Sequence, residues 1–405
     1  MSICLIHTPV PELKDDRLDP PMGLLYLGTY LKNRGWKVKI IDLSGIPEPE
    51  WDYHIPSMFY YGFSTYTGNY HLTLRLRDIV LSKNPEAITI AGGAHASALP
   101  EEVAKDFDYV VIGEGETVIQ GILDNYYQPG IIVGEPIKNL DKLPFLDYSL
   151  INIKSYHRLI DGGRAIPIFS SRGCLYNCAF CTVKSTVHNR LYRHRSVRHF
   201  VGEMVSNLQE FGDIRFRIKD DLFGTNLDWI KEFSQKKPNI KYDCLLRSDF
   251  NQNIIPYLSG CDMVSMGVES GSNKILEAMN KKTTWQRSAS AIKALNLAGI
   301  KTLIWLIVGF PGETWDTVKE TVEFVNLTKP DITTIYPLIP YPGTDVYNNK
   351  DKYGLKIIDN DFSHYFYIKG NYDSGYVYET DTLNPDIIRE MKQYMIENIT
   401  ESEIR

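Results

Sequence analysis

Three cysteines crowd into a short stretch of this 405-residue chain, where their spacing suits a metal cluster. Cys174, Cys178 and Cys181 read CxxxCxxC and directly follow an apolar, strand-like segment. Cysteine thiolates are the usual protein ligands of iron–sulfur clusters. Three thiolates on one loop can hold three irons of a cubane, which leaves the fourth iron open to a small molecule. The spacing therefore predicts a 4Fe–4S cluster.

A structural zinc ion is the alternative for the same cysteines. Structural zinc takes four ligands, and the fourth normally comes from a second Cys or Cys/His pair. The residues that could supply it are His188, Cys244 and Cys261. None of the three stands in a paired motif, so the spacing favours the cluster over zinc.

The segments around and after the cysteines alternate between apolar strands and helical patterns. The predicted strands read IPIFSS, RFRIKDD, YDCLLRSD, MVSMGVES, KTLIWLIVGF and TTIYPLIPY. Six strand–helix units in a row are typical of an incomplete TIM-type barrel, whose site lies at the carboxyl ends of the strands. Acidic, basic and glycine residues stand at those ends, so ligand contacts are expected there.

With these motifs in this order, residues 166–345 resemble the radical S-adenosylmethionine (SAM) superfamily. In that family SAM chelates the open iron, and an electron from the cluster cleaves SAM to methionine and a 5′-deoxyadenosyl radical. The resemblance implies SAM contacts at Phe180, Asp220, Asp221, Arg247, Glu269, Ser270, Gly309 and Pro311. Phe180 would lie beside the adenine, and Glu269 would bind the ribose hydroxyls. For Arg247, a structural ion pair is an equal alternative to a partner of the SAM carboxylate.

The first 137 residues form an earlier alternating series. Its predicted strands read SICLIHTP, KVKIIDLS, YYGFSTYT, AITIAGGAH and YVVIGEGE. Helical patterns separate them, for example MGLLYLGTYLKNRG and HLTLRLRDIVLSK. Strands that alternate with helices predict a parallel, doubly wound, Rossmann-like sheet, with ligands at the carboxyl ends of the strands.

A doubly wound domain before such a barrel resembles the cobalamin-binding subgroup of the superfamily. The resemblance implies cobalamin contacts at Thr8, Ser64, Thr65, Gly92, Gly93, His95, Gly113, Glu114 and Gly115. The Asp-x-His-x-x-Gly motif of another cobalamin-binding group is lacking, because Ser57 replaces the glycine that would follow Asp52-Tyr53-His54. We therefore expect no histidine ligand from that motif, and His54 is interpreted as ordinary. A relic scaffold that binds no corrinoid is the alternative.

The predicted fold class is α/β. A Rossmann-like domain of the cobalamin-binding type precedes a partial (β/α)6 TIM-type barrel and a short C-terminal extension. The predicted boundaries are 1–137 for the first domain, 138–165 for a linker, 166–345 for the barrel and 346–405 for the extension.

Composition limits the partners of the chain. The formal net charge is −6 and long basic runs are lacking, so we expect no nucleic-acid partner. The local cluster Arg190, Arg193, Arg195 and Arg198 is interpreted as the entry to a helix capped at Arg195-Ser196. The N-terminal residues lack the features of a signal peptide and no segment is apolar enough to span a membrane, so we expect a cytoplasmic protein.

The resemblance implies an enzyme with a 4Fe–4S cluster, SAM and cobalamin as cofactors. It would methylate an unactivated carbon of a small-molecule or natural-product substrate through the 5′-deoxyadenosyl radical and methylcobalamin, with a flavodoxin- or ferredoxin-type electron donor. A dehydration, cyclisation or rearrangement, with or without cobalamin, is the first alternative. A non-enzymatic metal-binding module is the second. A methylthiotransferase is disfavoured because that class has three further cluster cysteines before the barrel, and here only Cys4 precedes it.

Overall fold

The computed structural model describes residues 2–10, 15–183, 191–366 and 374–405. The chain divides into two compact units, and the main part of the second begins at Leu159. Residues 361–366 of the C-terminal extension belong to the first unit, as do 182–183 and Leu191. No described helix is long and apolar enough to cross a membrane.

The first unit is built on a parallel sheet in the order β2-β1-β3-β4-β5-β6. Its strands are β1 Ser2–His7, β2 Lys37–Asp42, β3 Tyr60–Ser64, β4 Ile88–Gly92, β5 Tyr109–Gly113 and β6 Gly130–Gly134. The strand order reverses between β1 and β3, which is where doubly wound sheets bind their ligands. The sheet confirms the predicted fold class and adds β6, which is not among the predicted strands although its sequence, GIIVG, is rich in β-branched residues.

Helices cover this sheet. They are α1 Met22–Lys32, α2 Trp51–His54, α3 Tyr70–Lys83, α4 Ala94–Ala98, α5 Pro100–Val103 and α6 Ile119–Leu123. Of the four helically spaced residues Met22, Leu25, Tyr26 and Tyr30 in α1, the first three are buried and Tyr30 is partly buried, which explains why the segment is a helix that lies against the sheet. His54 is exposed at the end of α2.

The segment between the two sheets packs on the first unit as far as Arg158. The Tyr156 hydroxyl donates to Asp42 Oδ2 at 2.5 Å, and Arg158 forms an ion pair with Asp19 at 2.7 Å. These contacts hold the end of the predicted linker segment against Asp42 and Asp19 of the first unit.

The second unit is built on an eight-stranded sheet in the order β18-β15-β14-β13-β12-β11-β8-β7. Six consecutive neighbours, β8 to β15, are parallel and confirm the six predicted barrel strands. The sheet strands are β7 Leu159–Ile160, β8 Gly163–Ile168, β11 Arg215–Ile218, β12 Tyr242–Arg247, β13 Cys261–Glu269, β14 Lys301–Val308, β15 Ile332–Pro337 and β18 Glu403–Ile404. Two small pairs complete the set: β9 Ser171–Arg172 with β10 Arg193–His194, and β16 Lys356–Ile357 with β17 Tyr378–Glu379.

Seven described helices accompany this sheet, most of them as crossovers between parallel strands. They are α7 Val197–Phe211, α8 Leu227–Lys236, α9 Asn273–Ala278, α10 Trp285–Leu297, α11 Trp315–Thr328, α12 Asp345–Asn348 and α13 Pro385–Asn398. A curled parallel sheet of this kind is the partial barrel expected from the sequence.

The local arginine cluster has a structural role in this unit. Ser196 caps α7 by accepting the His199 N–H at 3.1 Å, as predicted. The buried Arg195 guanidinium pairs with the buried Glu203 carboxylate and donates to the Phe169 carbonyl at 3.0 Å. Arg193 is also buried, Arg198 is exposed, and Arg190 lies outside the described residues. The pair therefore ties α7 to the chain just before the cysteine loop.

Replacing Glu203 by alanine should destabilise the second unit by about 3–5 kcal/mol, because Arg195 would stay buried without its counter-charge. Glu210→Ala is the matched control, since Glu210 is exposed on the same helix. Chemical or thermal unfolding of both variants measures the effect. Equal stability of the two variants would contradict a stabilising role for the pair.

Candidate active site

The cysteine loop leaves the carboxyl end of β8 and is held by the segment after α9. The Ala179 N–H donates to the Met279 carbonyl at 2.9 Å, and the Asn280 side chain donates to the Asn177 carbonyl at 2.6 Å. The Cys181 N–H closes a turn on the Cys178 carbonyl at 3.2 Å. All three cysteines are half-buried free thiols. The backbone of the loop is thus tied to the segment that follows α9.

The entry to the loop is fixed by Asp220, which lies two residues after the end of β11. Its carboxylate accepts four hydrogen bonds, from the backbone N–H and the hydroxyl of both Ser170 and Ser171. Burial raises the pKa of Asp220 to about 6, and the four donors oppose that rise. Next to it, Asp221 Oδ2 accepts the Gly173 N–H at 3.1 Å. Burial raises the pKa of Asp221, which that N–H and Arg172 oppose.

Arg247 at the end of β12 lies against the cysteine loop. Its guanidinium stacks on the Tyr176 ring, 3.6 Å from the centroid, and lies 3.9 Å from Cys178 Sγ. Its Nε is 2.6 Å from Asp249 Oδ1, and it also donates to the Lys281 carbonyl. The geometry therefore provides the structural ion pair and also places the cation beside the thiol of Cys178.

Glu269 ends β13 in a left-handed backbone conformation, with φ +70°. A side-chain-bearing residue adopts that conformation at a cost, which occurs most often at functional sites. Its buried carboxylate accepts from Lys281 Nζ at 2.8 Å, and this ammonium lies 5.6 Å from the centre of the Phe180 ring. Phe180 and Glu269, predicted to contact SAM, thus share one neighbour.

Lys281 is a residue that sequence reasoning missed. It is buried, whereas the adjacent Lys282 is exposed. No local pattern distinguishes the two lysines, since both follow the same short helix. Only the contact with Glu269, at the end of β13, identifies Lys281 as the lysine that belongs to the site.

The other predicted SAM contacts lie near the ends of β13 and β14. Ser270 Oγ lies 3.2 Å from Thr321 Oγ1 and accepts the Ser272 N–H, so it joins the strand to α11. Gly309 follows β14 with φ +88°, and Pro311 is buried two residues later. The site residues predicted in the barrel therefore stand at the carboxyl ends of successive strands, as the fold requires.

Glu313 is a buried carboxyl group in the same turn. It accepts the Gly309 N–H, and burial raises its pKa to about 8, against the lowering effect of the Gly309 and Phe310 N–H groups. The folded protein therefore retains a proton that the unfolded chain releases near its ordinary pKa of 4.5.

The predicted cobalamin contacts lie at the carboxyl ends of four neighbouring strands, β1, β3, β4 and β5. Thr8 Oγ1 lies 2.9 Å from Thr73 Oγ1, and Thr65 Oγ1 donates to the Gly92 carbonyl at 2.9 Å. A Cβ at Gly93, where φ is +102°, would lie 2.9 Å from the Thr65 carbonyl oxygen. A side chain at position 93 would collide with the backbone of Thr65, so the close packing at this edge requires glycine there.

The remaining predicted contacts extend this edge. Ser64 ends β3 and is half-buried. Gly113 ends β5, and its N–H donates to Ser97 Oγ at 3.2 Å. The buried Glu114 accepts the Ile137 N–H at 2.8 Å, and Gly115 starts a short turn above Leu27.

His95 in the first turn of α4 is fully buried at this edge. Its Nδ1 lies 3.2 Å from Thr67 Oγ1, and its ring lies between Tyr70 and Phe362, with centroids 4.4 and 5.1 Å away. Among the described residues, its Nε2 has no hydrogen-bond partner. Burial lowers the pKa of His95 to about 4, so the ring is neutral at physiological pH. A buried ring nitrogen without a partner is a fitting contact for a polar ligand.

The candidates for a fourth zinc ligand are placed elsewhere or not described. Cys244 and Cys261 lie against each other on β12 and β13, with their Sγ atoms 3.9 Å apart. His188 lies outside the described residues. In the described ranges, no three His, Cys, Asp or Glu side chains converge around a single metal ion.

Two family models match the chain, in the order expected from its motifs. The B12 binding domain matches residues 19–123, and the Radical SAM superfamily matches residues 168–325. This chain is a radical SAM enzyme with a B12-binding domain. Its cofactors are a 4Fe–4S cluster, SAM and cobalamin, which confirms the three cofactors predicted from the sequence.

Three similar proteins match most of this chain. An uncharacterised methyltransferase of Pyrococcus horikoshii is 28% identical over 80% of this chain and 77% of that protein. The anaerobic magnesium-protoporphyrin IX monomethyl ester cyclase of Rubrivivax gelatinosus is 26% identical over 86% of this chain and 69% of its own length. The structure of the radical SAM methyltransferase TsrM from Kitasatospora setae, with cobalamin and a 4Fe–4S cluster bound, matches all of this chain and 91% of TsrM, with TM-score 0.74 and 16% identity.

Removing any of the three loop thiols should abolish the cluster, because an iron would lose its protein ligand. Cys→Ala variants at 174, 178 and 181 are expected to lose most of their iron and sulfide. Cys244→Ala is the control, because that buried cysteine lies against Cys261 on the neighbouring strand and is not part of the CxxxCxxC motif. Iron and sulfide analysis after anaerobic reconstitution measures the result. Full cluster content in Cys178→Ala would refute the assignment.

Glu269→Gln should weaken SAM binding by about 1–3 kcal/mol, because a charged hydrogen-bond acceptor is lost. Glu277→Gln serves as the control, since Glu277 is exposed on α9. Equilibrium binding of SAM to the cluster-loaded protein measures the affinity. Unchanged affinity with a lowered melting temperature would show that Glu269 only supports the fold through Lys281.

Glu313 should make stability depend on pH. Since its pKa is raised in the fold, its contribution is fully present below pH 4.5 and is lost as the pH rises to about 8. The loss should be on the order of 3–5 kcal/mol, and Glu313→Gln should remove it. Melting temperatures of both proteins over pH 5–8 test this. Parallel curves for the two proteins would contradict it.

Proposed function

We propose that this enzyme transfers a methyl group to an unactivated carbon of a small-molecule substrate. The observation that carries the proposal is the pairing of a B12 domain with a radical SAM barrel in one chain. When bound, the cofactors supply an electron for the reductive cleavage of SAM and a corrin that carries methyl groups. Relatives that are named methyltransferases support the same reaction class.

The residues around the cysteine loop are proposed to bind and orient SAM. Two buried ion pairs, Arg247 with Asp249 and Lys281 with Glu269, lie beside the loop. Each pair is balanced, so a zwitterionic amino acid can approach without leaving a net buried charge on the protein. Phe180 provides an apolar ring for a purine, and Glu269 provides an acceptor for hydroxyl groups.

The glycine-rich edge of the first unit is proposed to bind the corrinoid. The tight backbone at Gly93 and the neutral His95 support this assignment, because they present small surfaces and one buried polar atom. This corrinoid assignment does not need an Asp-x-His-x-x-Gly motif, and the exposed His54 plays no part in it.

A cyclisation is the second candidate. The cyclase of Rubrivivax gelatinosus matches a larger share of this chain than the Pyrococcus methyltransferase does. The domain arrangement is therefore compatible with either reaction. In both cases the electron would come from a small low-potential donor, for which a flavodoxin- or ferredoxin-type protein is proposed.

The two reactions differ in what remains of SAM. Methyl transfer from SAM yields S-adenosylhomocysteine, whereas reductive cleavage yields 5′-deoxyadenosine and methionine. Enzyme purified with cobalamin supplied should contain about one corrinoid per chain. With SAM and a low-potential reductant it should form both products. 5′-Deoxyadenosine without S-adenosylhomocysteine, from corrinoid-loaded enzyme, would overturn methyl transfer in favour of the cyclisation.

Two controls separate the domains in this experiment. Cys178→Ala should stop formation of 5′-deoxyadenosine but keep the corrinoid. Wild-type enzyme from cells grown without cobalamin should lose S-adenosylhomocysteine formation but keep its cluster. A wild-type protein with a complete cluster and no corrinoid under any supply would refute the assignment of the glycine-rich edge.

A further inference from the structure

The turn after β14 is held by residues far away in the sequence. It runs from Gly309 to Glu313 and leads directly into α11, which Thr314 caps through a reciprocal bond with Thr317. Gly309 has φ +88° and Gly312 has φ +90°, so the backbone here takes a shape that most residues resist. Such a turn needs support from its surroundings to keep one conformation.

Both backbone polar atoms of Gly309, the N–H and the carbonyl oxygen, form hydrogen bonds with side chains of the protein. Its N–H donates to Glu313 Oε2, and its carbonyl accepts from the hydroxyl of Tyr378. A Cβ at this position would lie 2.9 Å from the Tyr378 hydroxyl and 2.9 Å from a methyl group of Ile388. Gly309 is therefore enclosed on its polar and apolar sides.

Tyr378 and Ile388 come from the C-terminal extension. Tyr378 lies on β17, where it pairs with Ile357, and it is fully buried. Ile388 lies on α13 and is fully buried as well. The extension thus contributes a hydrogen-bond donor and an apolar surface to a turn of the barrel.

We propose that Tyr378 is a positioning residue for SAM, which acts by holding the Gly309 carbonyl and with it the Gly309–Glu313 turn. The inference rests on the proposed function and on the SAM contacts expected at Gly309 and Pro311. It also refines that expectation. Because both backbone polar atoms of Gly309 already bond to protein groups, the contact with SAM falls to the residues that follow, and Gly309 sets their path.

The hydroxyl of Tyr378 is the part that can be removed alone. Tyr378→Phe keeps the ring and its packing but leaves the Gly309 carbonyl without its donor. A lost hydrogen bond of this kind corresponds to about a 3- to 10-fold change in affinity. We expect the dissociation constant and the KM for SAM to rise by that factor, with a smaller change in kcat and unchanged iron content.

Tyr242→Phe is the matched control. Tyr242 is also fully buried in the second unit, at the start of β12, and its hydroxyl has no hydrogen-bond partner in the described part of the chain. This variant loses the same atom without releasing a backbone carbonyl. It should bind SAM as the wild type does.

Amide hydrogen exchange of the peptide that contains residues 309–313 gives a second measurement. In cluster-loaded wild type, SAM should slow exchange of this peptide. In Tyr378→Phe without SAM, exchange of the same peptide should be faster than in wild type, while the cysteine loop is unchanged. These readouts do not require methyl transfer, so failure of the proposed reaction is distinguishable from failure of this inference.

Two results would overturn the inference. One is a Tyr378→Phe enzyme that melts at a lower temperature but binds SAM within a factor of about two of wild type. The other is a wild-type peptide 309–313 whose exchange does not respond to SAM although SAM binds. In either case Tyr378 would support the fold only.

Discussion

The buried carboxylate of Asp220 is the contact on which the cysteine loop depends. It collects the backbone and hydroxyl donors of Ser170 and Ser171, the residues that lead from β8 into the loop. An acceptor buried in this way stays favourable only while its donors are in place, so the strand end and the aspartate fix each other. The loop is held again at its centre by Met279 and Asn280. Two separate supports thus give the thiols a defined position before any cluster is bound.

Charge at the site is balanced within the protein. Arg247 pairs with Asp249 and Lys281 pairs with Glu269, and all four side chains are largely buried. Isolated charges at these depths would be strongly unfavourable, whereas each of these four has a partner of opposite sign. The consequence is that residues expected to contact SAM also stabilise one another. Loss of one therefore disturbs its partner as well as the ligand.

The C-terminal extension serves both units of the chain. Residues 361–366 pack with the first unit, where the Phe362 ring lies against His95. Tyr378 and Ile388 pack with the second unit at Gly309, and β18 adds a further strand beside β15. A segment that looks like a mixed aromatic tail in the sequence thus completes the surroundings of two proposed cofactor sites. Tyr378 is a structural part of the second unit, since its buried hydroxyl donates to the Gly309 carbonyl.

The sequence by itself determined the fold class, the order of the two domains, the six barrel strands and the cysteine motif. These features depend on local periodicity and on spacing within one loop, which neighbouring residues encode. Only the tertiary structure decided that Lys281 rather than Lys282 pairs with Glu269, that Asp220 accepts hydrogen bonds from two serines, and that Tyr378 donates to Gly309. The two-residue edge strand β18 belongs to the same group. Each of these outcomes depends on burial and on partners distant in the chain, and no local pattern records which buried group a side chain will meet.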